Sequence, residues 1–440
     1  MPRFPGGSLE LAMILRLILF ALVSLLAASQ TWAGEVDIIR SRYLDANAEV
    51  IQSTDRVGQR LALRLFDDAE MTAVLDRVRK DPLNGFVWQG HLEGLAGSMV
   101  VFVVEDRCIA GTIMSSDAMY RVRCLDGGLH AIDEVEVSEP WIDDVVLPET
   151  PPGSETLSSQ QGQEAKAGSA SVTEIDVLAV YTRKAAKKLV REVQTGFGSA
   201  KKAMKSQIRL SVAVANAAME NSGVKIRLRL VKIRHVGFKA SGSAGWDLSR
   251  IYVPNDGVLD RIHSWRDRYG ADAVMTVLDD FDSGLAGLAY MSSPHRDDAE
   301  EWMLSVVKYD ILWWTAVAHE LGHNLGLAHD KSNDDSPNLA KSFSYSHGYR
   351  DSKGGFRTVM AYKRGCSSCQ WMIPHFSNPN VTWQGNLSSS PQLDKVCGDG
   401  VSTGPKCGRK TGSNRANSAK SLNKTRDFFA GMRACKVDCG

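Results

Sequence analysis

The twelve residues HELGHNLGLAHD, from His319 to Asp330, restrict the local fold more than any other segment of this chain. On an α-helix, residues four positions apart lie on one face, so His319 and His323 would point in the same direction. Gly326 follows three residues later and can adopt the left-handed conformation that ends a helix. The chain could then reverse and return His329 to the first two histidines.

Three histidines in this arrangement predict one catalytic zinc ion. Zinc binds neutral imidazole nitrogens at about 2.0–2.1 Å, and three protein ligands leave its fourth position open. Glu320 follows the first ligand and is displaced around the helix, which is where a general base belongs. The alternative is a polar helix end with unrelated histidines, but the full spacing and the apolar segment YDILWWTAVA before it favour the metal site. The sequence leaves any calcium site unknown.

The first 33 residues have the pattern of a secretory signal peptide. Arg16 precedes an apolar run from Leu17 to Ala28, and Thr31–Ala33 forms a small-x-small cleavage site. The run is about 12 residues long, which is too short to span a bilayer. The alternative is an uncleaved membrane anchor. We therefore expect a secreted protein, passing through the periplasm in some hosts, with no membrane association after cleavage.

The chain has eight cysteines, an even number that fits disulfide formation in an oxidising compartment. Two alternatives stay open: a redox or zinc role for the CSSC segment, and a zinc-bound thiolate from Cys108 or Cys124. Pairing of near neighbours predicts four bridges: Cys108 with Cys124, Cys366 with Cys369, Cys397 with Cys407, and Cys435 with Cys439.

Composition divides the chain into three parts after the signal. Residues 34–146 alternate short apolar and polar runs, which predicts a small, mostly antiparallel α+β domain with a helix near Asp67–Lys80. Residues 147–173 are rich in Pro, Ser, Gly and Gln and predict a linker that proteases can cut. Residues 174–440 alternate strand and helix patterns, which predicts an α/β domain with a mixed twisted sheet, an active-site helix and a Cys-rich C-terminal part.

Charge is distributed unevenly between these parts, although the net charge of the whole chain is only +1. Residues 34–171 contain 12 Lys/Arg and 24 Asp/Glu, whereas residues 172–440 contain 38 and 26. Opposite net charges predict that the two parts attract each other. The alternative is two separately solvated surfaces without contact. We expect a monomer without a nucleic-acid partner.

The histidine segment resembles the extended zinc motif of the metzincin metalloproteases. That clan has a methionine beneath the metal in a downstream Met-turn. The segment GFRTVMAY supplies Met360 in this role, although an ordinary core methionine is the alternative. Tyr362 stands two residues later, where a tyrosine of astacin- and serralysin-like members can hydrogen-bond the tetrahedral oxyanion; a packing tyrosine is the alternative. The resemblance rests on His319, Glu320, His323, Gly326, His329 and Asp330.

Within the clan, the chain is most similar to reprolysin-like secreted bacterial enzymes of the peptidyl-Asp metalloendopeptidase type. The similarity spans roughly residues 174–430, including EIDVLAVYT, GLAY, VMAY and HFSNP; the Cys-rich tail departs from it. It implies cleavage beside an acidic residue, on the amino side of Asp. Arg357, Lys363 or Arg364 could line the corresponding pocket. It also implies that the acidic N-terminal domain is an inhibitory or folding-assisting propeptide.

These observations predict a secreted zinc endopeptidase acting on polypeptides, with its own propeptide as an intramolecular inhibitor. The segment GLAGLAYM predicts an exposed edge strand, along which a substrate would bind by strand addition through Gly287, Leu288 and Ala289. Two alternatives from other classes stay open. One is a secreted interaction protein with a catalytically silent zinc site, and the other is a zinc-dependent hydrolase of non-peptide substrates.

Overall fold

The structure is a computed structural model that describes residues 37–136, 142–146, 171–382 and 406–434. Within these ranges, short gaps fall at 46–47, 82, 96, 116–117, 127, 192, 194–195, 282–283, 335, 337–340 and 413–414. The predicted signal peptide and most of the predicted linker lie outside the described residues. None of the described helices has both the length and the apolar character needed to span a membrane.

Eight antiparallel strands form the first sheet, which we call the N-terminal sheet. Its order is β1-β8-β7-β6-β5-β4-β3-β2, and Arg40 of β1 bonds to Asp68 in the β2–β3 turn, so a side-chain ion pair connects the two ends of the sheet. A short helix, α1 (Ala48–Gln52), accompanies it. The strands are β1 Asp37–Asp45, β2 Arg60–Phe66, β3 Ala69–Lys80, β4 Phe86–Leu92, β5 Met99–Glu105, β6 Cys108–Met114, β7 Met119–Asp126 and β8 Leu129–Glu136.

The helix predicted near Asp67–Lys80 is wrong, because these residues form the hairpin turn and strand β3. The segment contains helix-favouring Ala, Met, Leu, Arg and Lys, which suggested the helical pattern. Pairing with β2 and β4 on its two sides overrides that preference, and Ala73 and Leu75 become fully buried on one face. In the same sheet, the predicted disulfide between Cys108 and Cys124 joins β6 to β7.

A mixed α/β arrangement follows, as predicted, around a second sheet with the order β11-β10-β12-β14-β13-β9. Strands β10, β11, β12 and β14 are parallel, whereas β13 runs antiparallel to β14. The strands are β9 Ile142–Val146, β10 Thr173–Thr182, β11 Ile226–Val236, β12 Ala273–Leu278, β13 Leu285–Tyr290 and β14 Leu304–Lys308. The helices are α2 Arg183–Leu189, α3 Phe197–Asn221, α4 Ala244–Tyr252, α5 Arg261–Tyr269, α6 Ala316–Asn324 and α7 Ser418–Phe429, with 3₁₀ turns at Ala299–Trp302 and Tyr309–Ile311.

Strand β13 contains the predicted substrate-binding residues, but it is not the last strand of its sheet. One side pairs with β14, and the other pairs in parallel with β9, which comes from before the predicted linker. The prediction of an exposed edge strand is therefore wrong for the full chain, because a segment distant in sequence covers that edge.

Helix α3 lies between the two sheets and connects them. It packs against β5, β6 and β7 of the N-terminal sheet on one side and against β11 and α6 on the other. Met99, Val101 and Val103 of β5 share one hydrophobic core with Met204 of α3 and Val177 of β10. The acidic and basic parts are therefore in contact, and the alternative of two separately solvated surfaces is wrong.

The remaining elements form small sheets near the C-terminus. The predicted disulfide between Cys366 and Cys369 is present, directly before β17. Cys407 is buried, but Cys397, Cys435 and Cys439 lie outside the described residues, so their predicted pairings stay predictions. The small strands are β15 Arg350–Asp351, β16 Phe356–Arg357, β17 Trp371–Met372, β18 Asn378–Thr382 and β19 Lys406–Cys407.

Candidate metal centre

Helix α6 carries the first two histidines into the protein interior. The His319 and His323 Nε2 atoms lie 3.0 Å apart, as expected for side chains one turn apart on one helix face. His329 brings its Nε2 atom to 3.2 Å from that of His319 and 3.0 Å from that of His323. Among the described residues, these three form the group whose nitrogens could hold a metal ion.

The end of α6 sets the position of the third histidine. Gly326 has a positive φ of 79°, and the Leu327 amide donates to the Gly322 carbonyl while the Gly326 amide donates to that of His323. These two bonds form a Schellman motif, which satisfies the last carbonyls of the helix. A Cβ on Gly326 would lie 2.0 Å from the Ser342 hydroxyl, so both conformation and space require glycine here.

After this turn, residues 346–348 hold the chain on both sides of His329. The Ala328 amide donates to the Ser346 carbonyl at 2.8 Å, and the Gly348 amide donates to the Ala328 carbonyl at 3.2 Å. The His347 Nδ1 atom lies 2.9 Å from the His329 carbonyl oxygen. These contacts fix the backbone on both sides of His329 and therefore the direction of its imidazole.

The protonation of these histidines fits a cation between them. The His319 Nδ1 atom lies 2.7 Å from the Val359 carbonyl, and that of His323 lies 2.8 Å from the Leu327 carbonyl. A carbonyl only accepts, so each Nδ1 carries the proton and each Nε2 presents a lone pair. Burial lowers the pKa of His319 to about 4, and burial with neighbouring histidines holds the pKa values of His323 and His329 well below their ordinary value.

The distances between these lone pairs match a zinc ion. Ligands at about 2.0–2.1 Å around a tetrahedral zinc lie about 3.3–3.4 Å from one another, close to the spacing of the three Nε2 atoms. Second bonds from Nδ1 to carbonyl groups are the usual way in which metal-binding histidines are oriented. Neutral, buried and oriented imidazoles are therefore a suitable donor set for zinc.

Glu320 lies beside the histidines and against strand β13. Its side chain is fully buried, and a Cβ built on Gly287 would lie only 2.4 Å from its Oε1 atom. The Glu320 carboxylate thus occupies the space that a side chain at position 287 would need, so only glycine fits there without a shift. The adjoining residues Leu288 and Ala289 are also buried, and each pairs with β14 and with β9.

Asn324 at the end of α6 holds the helix against the sheet. Its side-chain amide donates to the carbonyl oxygens of Tyr290 at 2.8 Å, Leu304 at 3.0 Å and Trp302 at 3.2 Å. These carbonyls belong to the end of β13, the start of β14 and the 3₁₀ turn before β14. The histidines of α6 and the strand carrying Gly287 are therefore held in one rigid arrangement.

The segment around Met360 lies beneath the histidines. Met360 is fully buried, and a Cβ on Gly322 would lie 2.6 Å from its sulfur atom, so the methionine packs against α6 beside His323. Two residues later, the Tyr362 hydroxyl lies 2.7 Å from the His329 Nε2 atom. This contact places a hydroxyl group next to the converging nitrogens.

Asp330 connects the third histidine to the Met360 segment. Its Oδ2 atom accepts from the Tyr362 backbone amide at 3.1 Å, and its Oδ1 atom lies 3.0 Å from Nε of Arg350. The Asn333 side chain donates to the same carboxylate at 2.8 Å. The predicted structural residue at this position therefore ties two loops together across the site.

The basic residues predicted to line an acid-binding pocket have different surroundings. Arg357 is buried and donates through Nη1 to the carbonyl oxygens of Cys369 and Gln370, each at 2.8 Å, so it braces its own loop. Arg364 is exposed, and its carbonyl accepts from Arg350. Lys363 is half-buried and directly follows Tyr362, whose hydroxyl lies 2.7 Å from the His329 Nε2 atom, so it is the candidate that adjoins a residue of the site.

Three contributions to the site lay outside the sequence prediction. Asn324 follows His323 and gives no spacing signal, because its role depends on carbonyl groups of two distant strands. His347 is not part of the histidine spacing, and it acts through the His329 backbone, whose carbonyl oxygen lies 2.9 Å from its Nδ1 atom. Strand β9 has no local motif that points to β13.

Comparison with known proteins gives the context for this geometry. Residues 171–376 match metallo-peptidase family M12 in its Reprolysin_5 group. The chain is 30% identical over 383 residues to a protein of Xanthomonas campestris pv. campestris described as a peptidyl-Asp metalloendopeptidase, covering 82% of this chain and 84% of that protein. A protein of Stenotrophomonas maltophilia with the same description is 28% identical over 349 residues, covering 74% and 77%.

Among solved structures, metalloproteinase-II from Bacteroides fragilis aligns with a TM-score of 0.42 at 12% identity, covering 67% of this chain and 88% of that one. The sequence matches decide the family, because they extend over most of both chains and over the segment that carries the three histidines. The chain belongs to the M12 reprolysin-like metallopeptidases and is a zinc metalloendopeptidase.

Proposed function

We propose that His319, His323 and His329 hold the zinc ion of this endopeptidase and that Glu320 is its general base. The observation that carries the proposal is the convergence of three Nε2 lone pairs within 3.2 Å, beside a fully buried carboxylate. Zinc bound there supplies Lewis acidity, which polarises a carbonyl and lowers the pKa of a water toward about 7.

Glu320 moves the proton during peptide hydrolysis. Its carboxylate accepts a proton as the water oxygen forms a bond to the scissile carbonyl carbon. When the carbon–nitrogen bond breaks, the same carboxyl group donates that proton to the leaving amine. The burial of Glu320 against Gly287 keeps bulk water away from this exchange.

Tyr362 stabilises the oxyanion that develops on the former carbonyl oxygen. Its hydroxyl lies 2.7 Å from a proposed zinc ligand, which is the region where that negative charge would form. A donor already in place for a developing charge costs no reorganisation during the reaction.

A peptide substrate binds in extended form along β13, next to Gly287, Leu288 and Ala289. Backbone groups of a strand can pair with an added peptide, and this strand passes directly beside Glu320. We also propose a preference for acidic side chains beside the cleaved bond, in keeping with the names of the relatives. Lys363 is the cation that we assign to this preference, because it is half-buried and adjacent to Tyr362.

The N-terminal domain keeps the enzyme inactive before secretion is complete. Strand β9 pairs with the same edge of β13 that the substrate needs, which supports an inhibitory role. The signal-peptide pattern and the two disulfides support secretion into an oxidising compartment. N-terminal sequencing of the exported protein tests both the signal and the propeptide boundaries.

The assignment of Glu320 is tested by Glu320→Gln in protein in which β9 has been displaced from β13. The change keeps size and removes the base, so zinc content by atomic absorption should be unchanged while peptide hydrolysis falls about 10²–10⁴-fold. Tyr362→Phe should retain zinc and lose part of kcat. Full proteolysis in Glu320→Gln would exclude Glu320 as the base, and full turnover in Tyr362→Phe would exclude the oxyanion role.

A further inference from the structure

We infer that cutting the linker between residues 147 and 170 does not by itself open the active site. The N-terminal sheet stays docked after the cut and keeps β9 on the substrate strand, so a second event must separate β9 from β13. This inference rests on the proposed function, because it concerns access to the strand that we assign to the substrate.

Strand β13 can accept only one partner on the side away from β14. On the β14 side, Gly287, Leu288 and Ala289 face Val307, Val306 and Ser305. On the other side, Leu288, Ala289 and Tyr290 face Asp144, Val145 and Val146 of β9. A strand has two hydrogen-bonding edges, so β9 and an extended substrate exclude each other.

The chain order decides which fragment keeps β9 after linker cleavage. β9 ends at Val146, before the linker, and only residues 137–141 separate it from the end of β8 at Glu136. A cut between 147 and 170 therefore leaves β9 joined to the N-terminal sheet. After such a cut, β9 can dissociate completely from the catalytic fragment only if the whole N-terminal sheet dissociates as well.

The contact between the N-terminal sheet and α3 is of the kind that holds subunits together permanently. Strand β5 is buried on both faces: Met99, Val101 and Val103 belong to the core shared with α3, whereas Val100 and Phe102 belong to the core of the sheet itself. Large apolar contacts of this type are typical of obligate rather than transient interfaces.

Polar contacts add to this apolar interface and are themselves buried. Arg209 of α3 bonds to Asp81 at 3.0 Å and to Glu105 at 2.5 Å, both in the N-terminal part. In the other direction, Arg121 and Arg123 of β7 donate to the carbonyl oxygens of Asp310 and Leu189. None of these contacts involves the linker, so none is lost when the linker is cut.

Retention of the N-terminal sheet keeps the local concentration of β9 high. A strand tethered through a few residues to a docked body rebinds its partner intramolecularly, at an effective concentration in the mM range for short tethers. A dilute peptide substrate competes poorly against this tethered strand. The cut enzyme therefore remains inhibited until β9 is removed or its pairing fails.

The test compares three forms of the full-length chain in which residues 151–157 are replaced by a site-specific protease sequence. The forms are uncut protein, linker-cut protein, and linker-cut protein carrying Asp144→Pro with Val145→Pro. Successive amides of a strand point to opposite sides, so one of these prolines must remove a bond to β13. Gln160→Pro with Gln161→Pro, outside β9, is the matched control.

Four measurements are made on each form: size-exclusion elution, zinc content, hydrogen exchange of the amides of β13, and hydrolysis of a quenched peptide containing one Asp. Exchange is measured in the Glu320→Gln background to prevent autolysis. We expect the linker-cut fragments to elute together, with exchange and hydrolysis equal to those of uncut protein. The β9 proline form should exchange faster in β13 and hydrolyse at least about tenfold faster, which corresponds to about 1.4 kcal/mol of lost pairing.

The outcomes separate this inference from the proposed function. If linker cutting alone separates the fragments, or raises β13 exchange and hydrolysis to the level of the β9 proline form, the inference is wrong. If the β9 proline form exposes β13 and contains zinc but does not hydrolyse peptide, the inference stands and the proposed function fails. A control form that behaves like the β9 proline form would also overturn the inference.

Discussion

At the scale of single residues, the site depends on how closely uncharged groups approach one another. The three Nε2 atoms lie 3.0–3.2 Å apart, and each would repel the others through its lone pair without a cation between them. Carbonyl groups of Val359 and Leu327 hold two of the imidazoles in the required tautomer. The hydrogen bonds from the Nδ1 atoms of His319 and His323 therefore determine that their Nε2 atoms can bind a metal ion.

Gly287→Ala should lower kcat, because the added methyl group would lie 2.4 Å from Glu320 Oε1 and must displace the carboxylate or the strand. A displacement of about 1 Å at a reacting group can reduce the rate about 10²-fold. Steady-state kinetics and zinc content measure the effect. Gly237→Ala is the matched control, since its Cβ meets nothing within 4 Å. Unchanged kcat in Gly287→Ala would show that the carboxylate tolerates the displacement.

Lys363→Gln should lower kcat/KM for a peptide with Asp beside the cleaved bond roughly tenfold or more relative to the same peptide with Asn. A hydrogen bond to a charged group contributes about 1.5–3 kcal/mol, and the amide removes that charge. Arg364→Gln, on the exposed neighbouring residue, is the control. An equal loss on both peptides would mean that Lys363 does not select the acidic side chain.

At the scale of elements, helix α6 and strands β13 and β14 act as one unit. The unit is held by the Asn324 side chain, which donates to carbonyl groups at 2.8, 3.0 and 3.2 Å. The Schellman motif at Gly326 then starts the loop that brings back His329. The candidate metal centre is therefore formed at the junction of one helix end and two strand ends.

Asn324→Leu should reduce the free energy of unfolding by about 1–3 kcal/mol, because three buried carbonyl groups lose their donor. It should also reduce kcat, since α6 loses its position relative to Gly287. Urea denaturation and kinetics measure the two effects. The control is Asn216→Leu, which breaks bonds between α3 and Leu228 of β11, far from the histidines in the sheet order. The control should lose stability alone; loss of stability alone in Asn324→Leu would rule out its positioning role.

At the scale of the whole molecule, α3 is the element that joins the two sheets. Nearly all of its length from Ala203 to Met219 is buried, which is unusual for a helix on one side of a sheet and normal for a helix between two. The attraction predicted from net charge is present in Arg209 with Asp81 and Glu105. In a second group of ion pairs the signs are exchanged, because Arg77 and Arg79 of the acidic part bond to Glu220 of the basic part.

Arg209→Met should destabilise the full chain by about 3–5 kcal/mol, because it leaves the buried carboxylate of Asp81 without its cation. The double variant Arg209→Met with Asp81→Asn removes both charges and should lose clearly less than the sum of the single losses. Urea denaturation of the three variants measures the coupling. Additive losses would show that the pair does not couple the N-terminal sheet to α3.

The local chemistry of the site could be predicted from the sequence, because it depends on positions close together along the chain. The face shared by His319 and His323, the helix end at Gly326 and the return of His329 follow from helix geometry and glycine conformation. The disulfides between Cys108 and Cys124 and between Cys366 and Cys369 followed from short separations. Alternating and β-branched runs located most strands, whereas the helix predicted near Asp67–Lys80 failed because cross-strand pairing outweighed helix propensity.

Only the tertiary structure decided what depends on contacts between distant segments. The pairing of β9 with β13, the burial of α3 between two sheets and the hold of Asn324 on β13 and β14 join residues about 20 to more than 100 positions apart. A strand edge carries the same backbone groups whatever its sequence, so no local pattern names its partner. The sequence by itself indicated a zinc endopeptidase with three converging histidines, and the tertiary structure decided which segment pairs with the strand beside them.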